Sequence, residues 1–158
     1  MDSTSVCEQL ASALQTRGWM MATAESCTGG MIAARCTDLS GSSYWFERGF
    51  VTYSNAAKTG LLGVPADLIA QHGAVSDAVA CAMAQGAVQR APVQASVAVT
   101  GIAGPTGGSA DKPVGTVWLA WCVGGQLSSE RRVFAGGRAE VREATVLHAL
   151  QGLLSRLN

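Results

Sequence analysis

An α/β fold, with a mixed sheet and helices on both of its faces, is what this chain of 158 residues predicts from three observations. Segments of helical periodicity alternate with short β-branched or apolar runs. One run, ASVAVTG at 95–101, is apolar enough to be a strand covered on both faces. The last two strand-like runs, PVGTVWLAWCV and SSERRVFAG, are joined by Gly124-Gly125, a hairpin signal.

Residues 3–17 form the first helix, with Val6, Leu10, Ala13 and Leu14 on one face and Gly18 as its stop. Trp19 to Ala24 form a short strand. After the glycine pair Gly29-Gly30, MIAARCTDLSG continues as a helix to about Gly41. The aromatic and β-branched stretch at about 45–53 is a strand. Ser54 and Asn55 cap a helix over AAKTGLLG, Pro65 starts another short one, and Ser76 caps an alanine-rich helix within HGAVSDAVACAMAQGAVQR. From Arg138 the pattern Val141, Ala144, Thr145, Leu147, His148, Leu150, Leu153, Leu154 is the last helix. No linker or repeat interrupts the chain, so residues 1–158 are expected to be one domain.

Composition narrows the function. The chain is 48% hydrophobic and 14% charged with zero formal net charge, and no Lys/Arg run gives it a bulk attraction for nucleic acid or anionic membrane. No apolar stretch has membrane-spanning length, and MDSTSVCEQL lacks the layout of a secretory signal, so a cytoplasmic protein is expected. Five cysteines (Cys7, Cys27, Cys36, Cys81, Cys122) contain no C-x-x-C pair, and His72 and His148 lie far from them. Neither a disulfide framework, a metal site nor a cofactor is expected.

Three stretches remain that carry chemistry. In TAESCTGG (23–30) a strand turns into a helix at Ser26, Cys27 and Thr28, where backbone N–H groups and the positive helix end stabilise an anion. Ser26 is there either a nucleophile beside ready oxyanion donors or simply an N-cap. A nucleophilic serine needs a base. His148 sits in an apolar stripe and His72 near a helix end, whereas Lys58, in YSNAAK, stands near the start of a helix, where burial lowers a lysine's pKa. Tyr53, five residues earlier, is placed to relay a proton; the competing reading is an ordinary solvated lysine. Finally, GIAGPTGG (101–108) follows the buried strand with four glycines in eight positions, a density that suits an anion nest better than a plain turn.

Together TAESCTGG, GFVTYSNAAK, HGAVS, GIAGPTGG and KPVGTVW, in this order, resemble the CinA C-terminal domain family, whose stand-alone bacterial members are nicotinamide-nucleotide amidases. The resemblance spans nearly the whole chain. It implies a three-layer α/β/α sandwich and hydrolysis of the carboxamide of nicotinamide mononucleotide to nicotinate mononucleotide and ammonia, in pyridine-nucleotide salvage, without a metal. It also implies that Ser26 is the nucleophile, Lys58 the base and Tyr53 an assisting hydroxyl. Cys27, Thr28, Gly29 and Gly30, with Gly101, Ala103, Gly104, Thr106, Gly107 and Gly108 of the second loop, are expected around the substrate. Arg138 and Arg142 are the candidates for its phosphate. Relatives often have Gly-Asp-Arg where this chain has Gly136-Gly137-Arg138, so the arginine is kept without its carboxylate neighbour.

Larger family members carry an N-terminal domain associated with nucleotide pyrophosphatase activity; this chain starts with the amidase segment, and that second activity is not expected. A homo-oligomer, a dimer favoured, is expected from alanine-rich helix faces that would equally serve internal packing. Two competing readings are a nucleotide- or phosphate-binding module without catalysis, and a Cys27 thiol nucleophile whose pKa the helix end would lower.

Overall fold

The computed structural model describes residues 1–158. Helix α1 (Ser3–Arg17) starts where the Asp2 carboxylate accepts the Ser5 N–H and ends where Gly18 takes a φ of 65°. The Trp19 N–H still bonds back to the Leu14 carbonyl, so strand β1 begins at Met21, later than expected, and runs to Glu25. Helix α2 (Met31–Thr37) stops short of Gly41. The Thr37 hydroxyl bonds back to the Ala33 carbonyl, and Asp38, Ser40 and Gly41 favour turns, which here lead into a single 3-10 turn at Ser42–Tyr44. The remaining elements are β2 (Phe46–Val51), α3 (Asn55–Leu62), α4 (Ala66–His72), α5 (Asp77–Arg90), β3 (Ala95–Gly101), β4 (Thr116–Val123), β5 (Gln126–Val133) and α6 (Arg138–Leu157). Ser54 and Ser76 cap α3 and α5 through their hydroxyls, as expected.

The five strands lie in the order β2-β1-β3-β4-β5, with β1 parallel to β2 and β3, and the β3–β4 and β4–β5 pairs antiparallel. Alternation along each central strand sends its side chains to opposite layers. Met21, Val97, Val99, Leu119 and Trp121 join the core under α1, α2 and α6, while Ala22, Ala24, Ala98, Ala120 and Cys122 join the core under α3, α4 and α5. The result is an α/β/α sandwich with a mixed sheet.

The two layers pack differently. On the α6 side the large Trp121 donates its indole N–H to the Ala149 carbonyl at 2.9 Å, and its ring occupies the space a side chain at Gly152 would need. On the α5 side small residues allow close approach, and the Ser96 hydroxyl reaches the Ala84 carbonyl at 2.8 Å. Because β1, β2 and β3 are parallel, their carboxyl ends share one edge of the sheet. The turns after Glu25, Val51 and Gly101 therefore meet there, where sheets of this class gather ligands.

Candidate active site

At the end of β1 the Ser26 N–H continues the sheet by donating to the Val99 carbonyl at 3.1 Å, so it is not available to a substrate. The Ser26 carbonyl accepts the Gly29 N–H at 3.0 Å and closes a turn over Cys27 and Thr28. Beneath that turn lies the fully buried Glu25. Its carboxylate accepts the Thr28 hydroxyl, the Ile32 N–H at 2.9 Å and the Ala33 N–H at 3.1 Å. Helix α2 thus has its positive end neutralised by the protein's own anion. Gly29 and Gly30, with φ of 58° and 107°, provide the left-handed entry into the helix.

Lys58 comes from α3, on the opposite layer. Capping of α3 by Ser54 turns the chain straight after β2 and points the lysine stem under the sheet edge, where only 1% of the residue is exposed. Its amine lies 2.9 Å from the Ser26 Oγ, 3.0 Å from the Thr52 carbonyl and 3.3 Å from the Tyr53 carbonyl. No carboxylate pairs with it. Burial pulls its pKa below the ordinary lysine value of 10.5. The two carbonyls accept from the amine in either protonation state, and the hydroxyl accepts from the ammonium or donates to the lone pair of the neutral amine. For Cys27 the same physics works against reactivity: burial foremost, and Glu25 nearby, push its thiol up to about 12, contrary to the lowering expected from the helix end.

A cleft of about 290 Å³ opens over this pair. Ser26, Cys27 and Lys58 form its floor; Gly101, Ala103, Gly104, Thr106 and Gly107 form one wall, and Tyr53 and Arg138 the rim. Arg138, the first residue of α6, ties the rim together by donating to the Gly104 carbonyl at 2.8 Å and to the Tyr53 hydroxyl at 3.1 Å. The Cys27 N–H donates to no acceptor in the protein. It belongs to the same peptide unit as the Ser26 carbonyl, which faces into the turn, so the N–H points out of it.

Several expected positions need correction. Tyr53 does not stand between Ser26 and Lys58: those two touch directly, and the Tyr53 side chain, 61% exposed, turns outward to Arg138. Its backbone carbonyl, rather than its hydroxyl, serves the lysine. Thr28, Gly29 and Gly30 lie behind the cleft, their helix end already occupied by Glu25, and Gly108 lies outside the lining. Arg142 also lies outside it, with its Nε on the Cys27 carbonyl at 3.1 Å and its Nη2 on the Thr28 carbonyl at 3.2 Å. Conversely Asn55, Ala74, Val75 and Thr100 line the cleft without being expected there. For Glu25 a signal exists in the sequence, an acidic residue closing an otherwise apolar strand just ahead of a helix.

The chain as a whole is similar to known proteins. The family model described as CinA C-terminal domain matches residues 3–157. The chain is 54% identical over 151 residues to the nicotinamide-nucleotide amidohydrolase PncC of Pseudomonas putida, covering 96% of this chain and 94% of that protein. It is 52% identical over 147 residues to the protein of the same name from Escherichia coli (strain K12), covering 92% and 89%. Among solved structures, the competence damage-inducible protein A from Klebsiella pneumoniae superposes with a TM-score of 0.96 at 39% identity, covering 99% of this chain and 98% of that one.

Proposed function

The chain belongs to the CinA C-terminal domain family, and from that premise we propose that it hydrolyses the carboxamide of nicotinamide mononucleotide through Ser26 and Lys58. The products are nicotinate mononucleotide and ammonia, which places the enzyme in pyridine-nucleotide salvage. The observation that carries the reading is the buried Lys58 amine, unpaired with any acid, at 2.9 Å from the Ser26 hydroxyl.

In the first half-reaction the Lys58 lone pair takes the Ser26 proton while Oγ bonds to the carboxamide carbon. The carbonyl oxygen becomes an alkoxide, which the Cys27 N–H is placed to receive. Collapse of this intermediate breaks the C–N bond, and the Lys58 ammonium returns its proton to the departing nitrogen, releasing ammonia and leaving an ester on Ser26. In the second half a water attacks the ester carbon, Lys58 again accepts the proton, and the carboxylate product leaves as Oγ is reprotonated. The thiol reading loses its support, because a buried thiol near pKa 12 is protonated at neutral pH.

The substrate phosphate brings nearly two negative charges to a protein with none in excess. Arg138 at the rim and the backbone amides of the Gly104–Gly107 stretch are its proposed receptors, the arginine through direction as well as charge. No helix is long and apolar enough to cross a membrane, and the proposed setting, that of a salvage enzyme acting on a charged nucleotide, is the cytoplasm. Exposure of Tyr44, Val51, Tyr53 and Leu61 around β2 and α3 supports a homodimer. The deciding experiment is ammonia release by the purified chain from nicotinamide mononucleotide and from free nicotinamide. Turnover of the nucleotide supports the amidase; tight binding without ammonia would leave only a nucleotide-binding module.

A further inference from the structure

We infer that Arg142 is a positioning residue for the oxyanion donor, rather than a ligand of the substrate; this rests on the amidase reading. Its guanidinium spans two successive carbonyls, Cys27 through Nε at 3.1 Å and Thr28 through Nη2 at 3.2 Å. In a trans peptide the carbonyl and the following N–H point in opposite directions. Holding both oxygens toward Arg142 therefore turns the Thr28 and Gly29 N–H groups away from it. The Gly29 N–H then reaches the Ser26 carbonyl, and that bond in turn aims the Cys27 N–H out of the turn, toward the cleft that Cys27 lines. The chain of constraint runs from α6 to the Cys27 N–H, the amide next to Ser26; the Thr28 and Gly30 N–H groups of the same turn also donate to no acceptor in the protein, but neither residue lines the cleft.

Arg142 has no carboxylate partner, and it stands one turn after Arg138 on α6. The two arginines divide the labour: Arg138 ties the rim, and Arg142 grips the turn from behind. Glu25 holds the same turn through the Thr28 hydroxyl, so an anion and a cation secure it by different groups. Lysine cannot reproduce a grip that uses two nitrogens in a fixed fork.

The test compares wild type with Arg142→Gln and Arg142→Lys in kcat and KM, on nicotinamide mononucleotide and on free nicotinamide. It also measures affinity for two inhibitors, the nucleotide bearing an aldehyde in place of the carboxamide and the pyridine nucleotide lacking both. The aldehyde adds Ser26 Oγ and needs the oxyanion donor; the second inhibitor does not. Removing a direct oxyanion donor costs about 10²–10³ in kcat, and acting through one, both variants are expected to lose about 10- to 100-fold in kcat on both substrates. KM for the nucleotide should stay within about threefold. Aldehyde affinity should fall with kcat/KM while that of the second inhibitor holds, a separation that general loosening of the fold would not produce. Raised KM for the nucleotide alone would make Arg142 a phosphate ligand and overturn the inference, as would unchanged kcat. If Arg142→Gln fails to fold, Arg142→Lys, which keeps stem and charge, carries the test. Silence of wild type on both substrates would sink the amidase reading itself.

Discussion

On the floor of the cleft, Ser26 is 8% and Lys58 1% exposed, and each is held by elements from a different layer of the sandwich. At the rim, residues 105–111 are exposed outside any regular element, and Arg138 and Tyr53 are exposed side chains that hold each other. The floor places a hydroxyl and an amine to within hydrogen-bond distance and removes water, which is what shifts the lysine toward its neutral form. The rim leaves glycine amides, and the Arg138 donors not taken up by Gly104 and Tyr53, to meet a charged group arriving from solvent. Chemistry that depends on a pKa has to be buried, whereas recognition of a phosphate tolerates water and needs reach. If this contrast is correct, substitutions on the floor abolish the reaction on any substrate, and substitutions at the rim change which substrate is bound.

The largest effect belongs to Ser26→Ala. Turnover should fall by at least about 10³-fold, since the attacking atom is gone, while the melting temperature shifts by only a few degrees for the loss of one hydrogen bond worth about 1 kcal/mol. Kinetics and thermal melting on the same preparation check both halves. Residual turnover within about tenfold of wild type, a barrier change of only about 1.4 kcal/mol, would remove Ser26 from the nucleophile's role.

Lys58 variants come next. Lys58→Arg should be nearly as inactive as Lys58→Ala, because a guanidinium keeps its charge and never becomes a neutral base. Lys58→Met separates catalysis from stability. With its folded pKa below 10.5, wild-type Lys58 binds less proton folded than unfolded between those two values, so its contribution to stability decreases as pH falls through that window. A thioether carries no such penalty, and the Lys58→Met variant should gain stability relative to wild type as pH is lowered, with no turnover at any pH. In wild type, kcat/KM should rise with pH along a limb whose midpoint lies below the ordinary lysine value. A kcat/KM with no rising limb anywhere below the ordinary lysine value of 10.5 would contradict the base role, since protonation of a neutral-amine base removes its lone pair.

The same contrast explains how much of the molecule is legible in its sequence. Ser26 and Lys58, the proposed catalytic pair, are legible because each breaks a local pattern: a hydroxyl at a strand-to-helix turn, and a lysine at the helix end where a cation is disfavoured. The alternation of elements and the Gly124-Gly125 hairpin are legible for the same local reasons. Tyr53 is not, because proximity in sequence says nothing of direction; its carbonyl faces the lysine while its ring faces solvent. Arg142 grips the turn after Ser26 through two backbone carbonyls, which carry no residue-specific signal across the 115 positions separating Arg142 from Cys27, whereas Glu25, which holds the Thr28 hydroxyl, does leave a local signal as the acidic end of its strand. The end of α2 at Thr37 escapes a sequence reading because Asp38 to Gly41 tolerate a helix end and a turn about equally.

At the rim, Arg138→Ala is the sharper probe. It should raise KM for nicotinamide mononucleotide by about tenfold, the scale of one charge-assisted hydrogen bond, with kcat and the action on free nicotinamide nearly unchanged. Steady-state kinetics on the two substrates decide it. An equal loss on both would mean that the ties of Arg138 to Gly104 and Tyr53 shape the floor as well, and the division between floor and rim would fail.

Cys27→Ala should have the smallest effect, although the residue adjoins the nucleophile and lines the cleft. Its thiol sits in the core beneath α1 and α6 with 6% exposure, and a pKa pushed up to about 12 leaves it protonated at neutral pH. What the proposed mechanism asks of this position is its backbone N–H, which alanine retains. Deleting one buried sulfur leaves a small void and should cost on the order of 1 kcal/mol of stability, while kcat stays within about threefold of wild type. The pair of measurements, turnover of Cys27→Ala and of Ser26→Ala under one assay, separates side chain from backbone at adjacent positions. A drop of about 10²-fold or more in Cys27→Ala, the scale of losing a direct catalytic contact, with its melting temperature preserved would show that the sulfur takes part. The floor would then hold two working side chains on one turn rather than a hydroxyl and an amide.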